Sequence, residues 1–397
     1  MKILILNDLY KYGGAELAAL KQLELLSSCN EKVMMITLDP AYRDGLIEKN
    51  IYNIKTCSDS RINILNKVLF SPSIYLRLRR KIEEFSPDVI FLHGILRSPI
   101  SQYMAVRGYK CIQTVHDYFY ICPKFNCILP EGSVCKGTKY RSCCKEGCLY
   151  DGSKAKLMIF RYISAVSRIL RKHTVSCFIA PSKRLGAYLD AYGYKNVVIN
   201  NPYAVGNAAI GKARDRRSEF LYAGRISADK GIFEFLDAFA KWNSEGKHSI
   251  TIAGAFSSED DRKRFEKLED RYHWISYEGE KSHEEILDMM RHAGFVVVPS
   301  LGIENYPTAV LDAFSAGAVV IGSARGGVRE LISEGRGIGF KILSCDDIIR
   351  KLSYAVKLSE EEKERIRQRG IRYLKDNNSE EKYLGEIMEL AEKTVSL

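Results

Sequence analysis

The chain has 397 residues, room for two or three domains at about 150 residues each, with a composition of 46% hydrophobic and 27% charged residues. That balance excludes collagen-like, disordered and small disulfide-stapled proteins. Near Met1 only residues 3–6 form an apolar run, and nowhere do about 18 consecutive apolar residues occur. Neither a membrane span nor a secretory signal is expected, so the eleven cysteines should stay mostly reduced. The net charge of +11 is uneven: residues 1–200 carry 30 Lys and Arg against 16 Asp and Glu, residues 201–397 carry 30 against 33. A basic half beside a nearly neutral one predicts two domains with different partners, the first facing something anionic.

Taken in chain order, residues 2–6 form an unbroken apolar run of strand length, followed by Gly13-Gly14 and a helical period over 15–26. Strand signals recur at 33–37, 89–92, 111–115, 178–180 and 197–199 with helical segments between them. The pattern breaks over the polar stretch 200–217 and restarts with strands at 220–224, 250–253, 274–277, 295–298 and 318–321. Residues 346–397 read as helical throughout. Alternating strands and helices predict parallel sheets covered on both faces. The expected division is 1–202, 203–375 and a C-terminal helix, 376–397, packing back on the first domain. Two doubly wound domains facing across a cleft would bind ligands at the carboxyl ends of their strands.

The loop after the first strand lacks a Gly-x-Gly-x-x-Gly fingerprint, and no Walker loop occurs, so dinucleotide-dependent and ATPase chemistry drop out. Two later loops carry anion chemistry. Gly224-Arg225 with Lys230-Gly231 follows a strand and opens a helix, so both cations can converge on an anion. In the segment 304–317, Pro307 suits a first helical turn and leaves backbone N–H groups near Thr308 for phosphate or sugar oxygens. Glu304 lies just before that helix and Asp312 about one turn in. Carboxylates opposite cations fit a ligand that is anionic in the middle and hydroxyl-rich at its ends.

These residues resemble the retaining glycosyltransferases of family 4, which have the GT-B fold of two Rossmann-like domains. The resemblance runs in order through Gly13-Gly14-Ala15-Glu16, His116-Asp117, Ala180-Pro181-Ser182, Gly224-Arg225 with Lys230-Gly231, residues 304–317, Gly326-Gly327 and Glu330. It implies a hexosyltransferase with a nucleotide-sugar donor of UDP or GDP type in the second domain, an acceptor in the first, and no metal for chemistry. Arg225 and Lys230 would neutralise the donor diphosphate, and Glu304 would hold the sugar hydroxyls. The backbone of Asn305, Tyr306, Pro307 and Thr308 would meet sugar and phosphate oxygens, and Asp312 the ribose. The family usually has Glu at that last position, so the ribose contact would be longer or water-mediated. His116 would stand near sugar and acceptor, and Gly13 and Gly14 would admit phosphate or acceptor without a side chain in the way.

Two features extend beyond this match. Six cysteines crowd into 122–148, and Cys122, Cys135, Cys143 and Cys148 are candidates for a structural zinc within an insertion of the first domain. Stretches 159–171 and 61–81 pair apolar faces with cations, among them Arg168, Arg171, Arg77, Arg79, Arg80 and Lys81. Basic amphipathic helices of this kind read as contacts with an anionic membrane surface. The sequence thus points to a cytoplasmic enzyme, peripheral on the inner face of the cell membrane, extending a lipid-linked glycan of an envelope polysaccharide such as lipopolysaccharide or capsule. A GT-B nucleotide-sugar epimerase is the nearest alternative. A basic nucleic-acid-binding protein is the alternative from another class, although no nucleic-acid partner is expected without aromatic-basic interleaving.

Overall fold

The computed structural model describes residues 1–10, 13–29, 31–118, 154–203 and 218–396, together with 122, 127–129, 133, 135 and 148. The chain divides into two units: Met1–Phe125, Lys136–Pro202 and Glu380–Leu397 in unit 1, and Asn126–Cys135 and Tyr203–Ser379 in unit 2. Part of the Cys-rich stretch therefore groups with unit 2, where the sequence assigned it to the first domain. The C-terminal segment of unit 1 begins at Glu380 rather than 376.

Unit 1 is built on an eight-stranded sheet. Its strands are β1 (Lys2–Asn7), β2 (Lys32–Thr37), β3 (Gly45–Glu48), β4 (Ile51–Asn53), β5 (Val89–Leu92), β6 (Cys111–Thr114), β7 (Val175–Ala180) and β8 (Asn196–Val198). They lie in the order β3-β4-β2-β1-β5-β6-β7-β8, and among these neighbours only β3 and β4 run antiparallel. Ile3, Leu4, Ile5 and Leu6 of β1 are fully buried, as expected of a central parallel strand covered on both faces. At the start of helix α1 (Gly14–Ser28) the Glu16 carboxylate reaches back to accept from the Gly13 N–H at 3.0 Å.

Unit 2 has a six-stranded, wholly parallel sheet: β9 (Ser218–Ala223), β10 (Ile250–Ala253), β11 (Ile275–Tyr277), β12 (Ala293–Val298), β13 (Val319–Ser323) and β14 (Gly337–Phe340). Their order is β11-β10-β9-β12-β13-β14. Phe220, Phe295 and Ile321 face one cluster with the helix Ile232–Trp242, while Leu221, Val296 and Val320 face another with the helix Thr308–Ser315. Alternate residues of one strand thus feed two cores, which is why these strands read as continuous apolar runs.

The helical tail departs from the sequence expectation in one respect. Residues 345–396 form three helices, Cys345–Lys357, Glu360–Asn378 and Glu380–Ser396, instead of an unbroken one. Ser359 stops and restarts the chain through a capping box with Glu362, and Ser379 is extended at φ −61°, ψ 143°. The last helix packs on α1, β5 and β6 and sends Tyr383, Ile387 and Ala391 into the unit 1 core.

The basic amphipathic stretches fold differently from expectation. Pro72 divides the 61–81 stretch, starting the helix Pro72–Phe85 after the helix Ser60–Val68. Its cations Arg77, Arg79, Arg80 and Lys81 pair with Asp44, Glu83 and Glu84. On the helix Lys154–Thr174, Arg171 is buried and donates from Nε to the Ser167 carbonyl at 3.0 Å, so it is no part of a solvated cationic face. These regions expose apolar side chains, Ile62, Leu65, Leu69 and Phe70, and Met158, Tyr162 and Ile169, beside the exposed cations Lys67, Arg80 and Lys172. Among the described residues, no helix is long and apolar enough to cross a membrane.

Candidate functional site

In a doubly wound sheet the chain leaves in opposite directions from two adjacent central strands, so their following loops part and open a crevice. In unit 2 those strands are β9 and β12. The loop after β9 supplies Gly224, Arg225 and Lys230, and the loop after β12 supplies Pro299, Ser300 and Glu304. These residues, with Pro307, Thr308 and Asp312, line a single cavity of about 560 Å3. The structure therefore brings together seven positions that the sequence singled out across almost ninety residues.

Backbone geometry makes the loop after β9 possible. A short 3-10 turn, Ala228–Lys230, ends at Gly231 with φ +68°, and a Cβ there would stand 2.1 Å from the Pro299 carbonyl oxygen. Only glycine meets both demands. Lys230 then projects its ammonium to 2.6 Å from Glu304 Oε1, an oxygen that also accepts from Ser300 Oγ at 2.9 Å. Arg225 is more exposed, with Nη2 3.3 Å from Asp229 Oδ2, while its carbonyl accepts from Tyr222 Oη at 2.6 Å.

The Glu304 loop is held from behind by the helix Gly326–Ile332. Gly327 N–H donates to the Glu304 carbonyl at 2.7 Å, and a Cβ on Gly327 would lie 2.0 Å from the Asn305 oxygen. Pro307 is the N-cap of the helix Thr308–Ser315 rather than its first residue, so first-turn N–H groups begin at Thr308. The Tyr306 side chain is used elsewhere: it is buried and its hydroxyl donates to Asn378 Oδ1 at 3.0 Å. Burial drives that phenol's pKa upward.

Asp312 is buried, and two side chains the sequence did not single out meet its Oδ1. His283 Nε2 lies 2.8 Å away and Tyr203 donates its hydroxyl. Burial, then the Asp312 charge, raises the Tyr203 pKa, which keeps that hydroxyl a donor.

Unit 1 repeats the crevice between β1 and β5. Gly94 N–H donates to Asn7 Oδ1 at 2.8 Å, and the N–H groups of Leu96 and Arg97 donate to Asp8 Oδ2 at 2.5 and 2.9 Å. These bonds staple the loops after the two strands. A cavity of about 590 Å3 there is lined by Asp8, Glu16, His93, Arg97, His116 and Asp117 among others. Burial pushes the Asp8 carboxyl up to about 6 against the pull of its donors. Burial also lowers His116 to about 4 and His93 well below the ordinary imidazole value. His93, Asp8 and Gln22 escaped the sequence reading. The available signal was position alone, since Asp8 and His93 each follow the last residue of a central strand.

Neither Gly13 nor Gly14 takes a conformation reserved for glycine: Gly13 is extended at φ −147°, and a Cβ on Gly14 would have nothing within 4 Å. Of the cysteines proposed for zinc, Cys122 and Cys148 are buried, Cys135 is half-buried, and Cys143 lies outside the described residues. Among the described residues, no group of three or more His, Cys, Asp or Glu is placed to hold a metal ion.

Comparison with known proteins bears on both units. The family model "Glycosyltransferase Family 4" matches residues 12–205, and "Glycosyl transferases group 1" matches residues 207–373. A Klebsiella pneumoniae protein described as an uncharacterized 42.6 kDa protein in the cps region is 24% identical over 353 residues, covering 83% of this chain and 87% of the relative. The lipopolysaccharide 1,2-N-acetylglucosaminetransferase of Salmonella typhimurium is 29% identical over 157 residues, 37% of this chain and 40% of that enzyme. Among solved structures, Anabaena HepE in complex with UDP superposes with a TM-score of 0.72 at 16% identity, covering 99% of this chain and 100% of that one. Sucrose-phosphate synthase from Thermosynechococcus elongatus gives 0.73 at 16% identity, with full coverage of both chains. Two Rossmann-like units of GT-B type, each matched by its own glycosyltransferase model, make this chain a member of the group 1 glycosyltransferases.

Proposed function

We propose that the enzyme transfers a sugar from a nucleoside-diphosphate sugar to a glycan acceptor, lipid-linked, with retention of anomeric configuration. The observation that carries this reading is the unit 2 cavity, where Arg225 and Lys230 stand opposite Glu304, Thr308 and Asp312. In it the cations neutralise the diphosphate as it departs, which is where charge builds in the transition state. Glu304 holds hydroxyls of the donor sugar, and the N–H groups from Thr308 onward meet phosphate or sugar oxygens. Asp312 keeps Oδ2 for the ribose while Oδ1 serves Tyr203 and His283. His116, in unit 1, is assigned to the acceptor on its resemblance alone, and the chemistry needs no metal ion.

The complexes of HepE with UDP and with UDP-glucose favour a uridine donor. The capsule-region and lipopolysaccharide relatives favour an envelope polysaccharide as product. Membrane attachment at the inner face of the cell membrane belongs to the same proposal, resting on the exposed apolar side chains of the helices Ser60–Val68 and Lys154–Thr174 and on the exposed cations beside them, Lys67 and Lys172.

Thermal-shift measurement against UDP, GDP, ADP and their sugars tests the donor reading. One nucleoside diphosphate should stabilise the protein, and Lys230→Ala should reduce that shift. No shift with any of them would overturn the reading. Conversion of a nucleotide sugar without any acceptor would identify an epimerase instead.

A further inference from the structure

One wall of the unit 1 cavity is cationic. Lys67 lines it from the helix Ser60–Val68 and Arg97 from the loop after β5. Arg97 Nη1 lies 3.4 Å from Asn63 Oδ1, and Asn63 stands four residues before Lys67, on the same face of that helix.

Both cations have firm roots. The Arg97 N–H donates to Asp8 Oδ2 at 2.9 Å, and the next residue, Ser98, is fully buried at the start of the helix Pro99–Ala105. The helix Ser60–Val68 packs on that helix and on Lys154–Thr174. Among the described residues, neither Lys67 nor Arg97 forms an ion pair. Asp8 is already engaged by the N–H groups of Leu96 and Arg97, and Glu16 by that of Gly13. Two cations on one wall, neither neutralised by a carboxylate, favour an anion that offers several oxygens, and a phosphate group does so.

The same helix indicates what carries that phosphate. Leu65 and Leu69 are exposed on the side turned away from Asn63 and Lys67. A helix with its side chains is about 10 Å across, comparable with the headgroup layer of a bilayer. With Leu65 and Leu69 at the hydrocarbon boundary, Lys67 and Arg97 stand at the depth where a lipid carries its phosphate.

We infer that Lys67 and Arg97 form an acceptor subsite for the phosphate that joins the acceptor sugar to its lipid. The inference deepens the lipid-linked acceptor proposed above and rests on it. The lipid chain runs outward along Leu65 and Leu69, and the sugar reaches inward to the carboxylates of the cavity, Asp117 among them. A glycan without the phosphate forgoes the contacts to both cations.

Sedimentation of the full-length chain with two kinds of vesicle tests this. One is phosphatidylcholine carrying a long-chain alkyl diphosphate, the other phosphatidylcholine with phosphatidylglycerol at equal surface charge. Wild type should bind the first about tenfold more tightly, the effect of charge-assisted hydrogen bonds that a diffuse surface charge does not supply. The Lys67→Met/Arg97→Met double variant should bind both alike. Lys67→Met alone, at an exposed position that tolerates change, should lose part of the preference, and Lys67→Arg should keep it. Lys230→Ala should also keep it, since unit 2 is not the reader. Equal binding of the two vesicles by wild type, a preference that survives the double variant, or one lost with Lys230→Ala overturns the inference. Inorganic pyrophosphate competing at the same concentration as the vesicle-held group would assign the subsite to a free phosphate and overturn it as well. Failure of the donor reading shows instead as a missing thermal shift with nucleotides, so the two failures are distinct.

Discussion

The Lys230 ammonium and the Glu304 carboxylate, 74 residues apart in sequence, form an ion pair of 2.6 Å across the unit 2 crevice. Each is thereby held pointing into the cavity by the other. A diphosphate entering between Arg225 and Lys230 would exchange one anionic partner of the lysine for another, so the site needs little rearrangement of charge to accept it.

Lys230→Ala and Arg225→Ala should each lower turnover more than they weaken nucleoside-diphosphate binding, because their charge matters most as the leaving group becomes anionic. A loss of about a hundredfold in kcat is expected for Lys230→Ala. Steady-state kinetics beside calorimetry with the free diphosphate separates the two effects. Equal losses in both would make Lys230 a ground-state anchor only.

The two carboxylates of the cavity should separate by ligand. Glu304→Gln should impair transfer while leaving free nucleoside-diphosphate affinity within about threefold, a change below 1 kcal/mol. Asp312→Ala should weaken the nucleotide itself, and Tyr203→Phe should do so to a smaller degree. Calorimetry showing the reverse order would invert the donor orientation proposed here.

Gly327 touches no ligand in this scheme, yet Gly327→Ala should reduce transfer. The new Cβ would lie 2.0 Å from the Asn305 oxygen, so the loop carrying Glu304 must move. Overpacking against backbone of this kind costs about 2 kcal/mol, and the unit 2 unfolding transition should fall accordingly. Unchanged kinetics with lowered stability would show that Glu304 tolerates the displacement.

Acid should weaken the fold through two imidazoles, His93, which is buried, and His116, which is half-buried. His116 is held near 4 and His93 is also lowered, whereas an unfolded histidine takes its proton at about pH 6.5. Between those values the unfolded chain binds protons that the folded chain does not, so stability is lost as pH falls from neutral. Asp8 opposes this: its folded value of about 6 exceeds the usual carboxylate range, so falling pH protonates the folded state first and favours it. His116→Leu removes one destabilising proton sink. The stability advantage of wild type over this variant, from urea midpoints, should therefore shrink between pH 7 and pH 5. A constant difference would mean that His116 titrates normally.

Sedimentation with vesicles tests the membrane proposal. Anionic vesicles should bring the chain down at low salt and neutral ones should not, since cations near an anionic surface contribute about 1 kcal/mol each. Replacing exposed Leu65 and Leu69 by Ser should reduce recovery. Equal, negligible recovery with both lipids removes the proposal.

What the sequence revealed depended on whether the signal was local. Strands buried on both faces, such as β1 and β12, announce themselves as apolar runs. The edge hairpin β3–β4 was missed because Gly45–Glu48 alternates partial and full exposure, and β14 because Gly337 and Gly339 replace half its side chains. The residues that line the unit 2 cavity were legible as a group because most of them sit in short loops whose residue types suggest anion chemistry. Gln22 and His93 were not, because 71 residues separate them and only the crossing between β1 and β5 brings them together. Arg171 misled for another reason: helical period shows which face a residue is on, but not that a neighbouring surface covers the end of that face.

Tyr383, Ile387 and Ala391 complete a core whose other members include Ile3, Ile5 and Leu23. On a ribosome, unit 2 therefore emerges whole while unit 1 still lacks part of its interior. Burial of side chains such as Tyr383 and Ile387 is worth about 2 kcal/mol each, a large share of the 5–15 kcal/mol that typically holds a domain together. The half of the molecule made first is thus the last able to finish folding, and a nascent chain stalled before residue 380 would carry a completed unit 2 cavity and an unfinished unit 1.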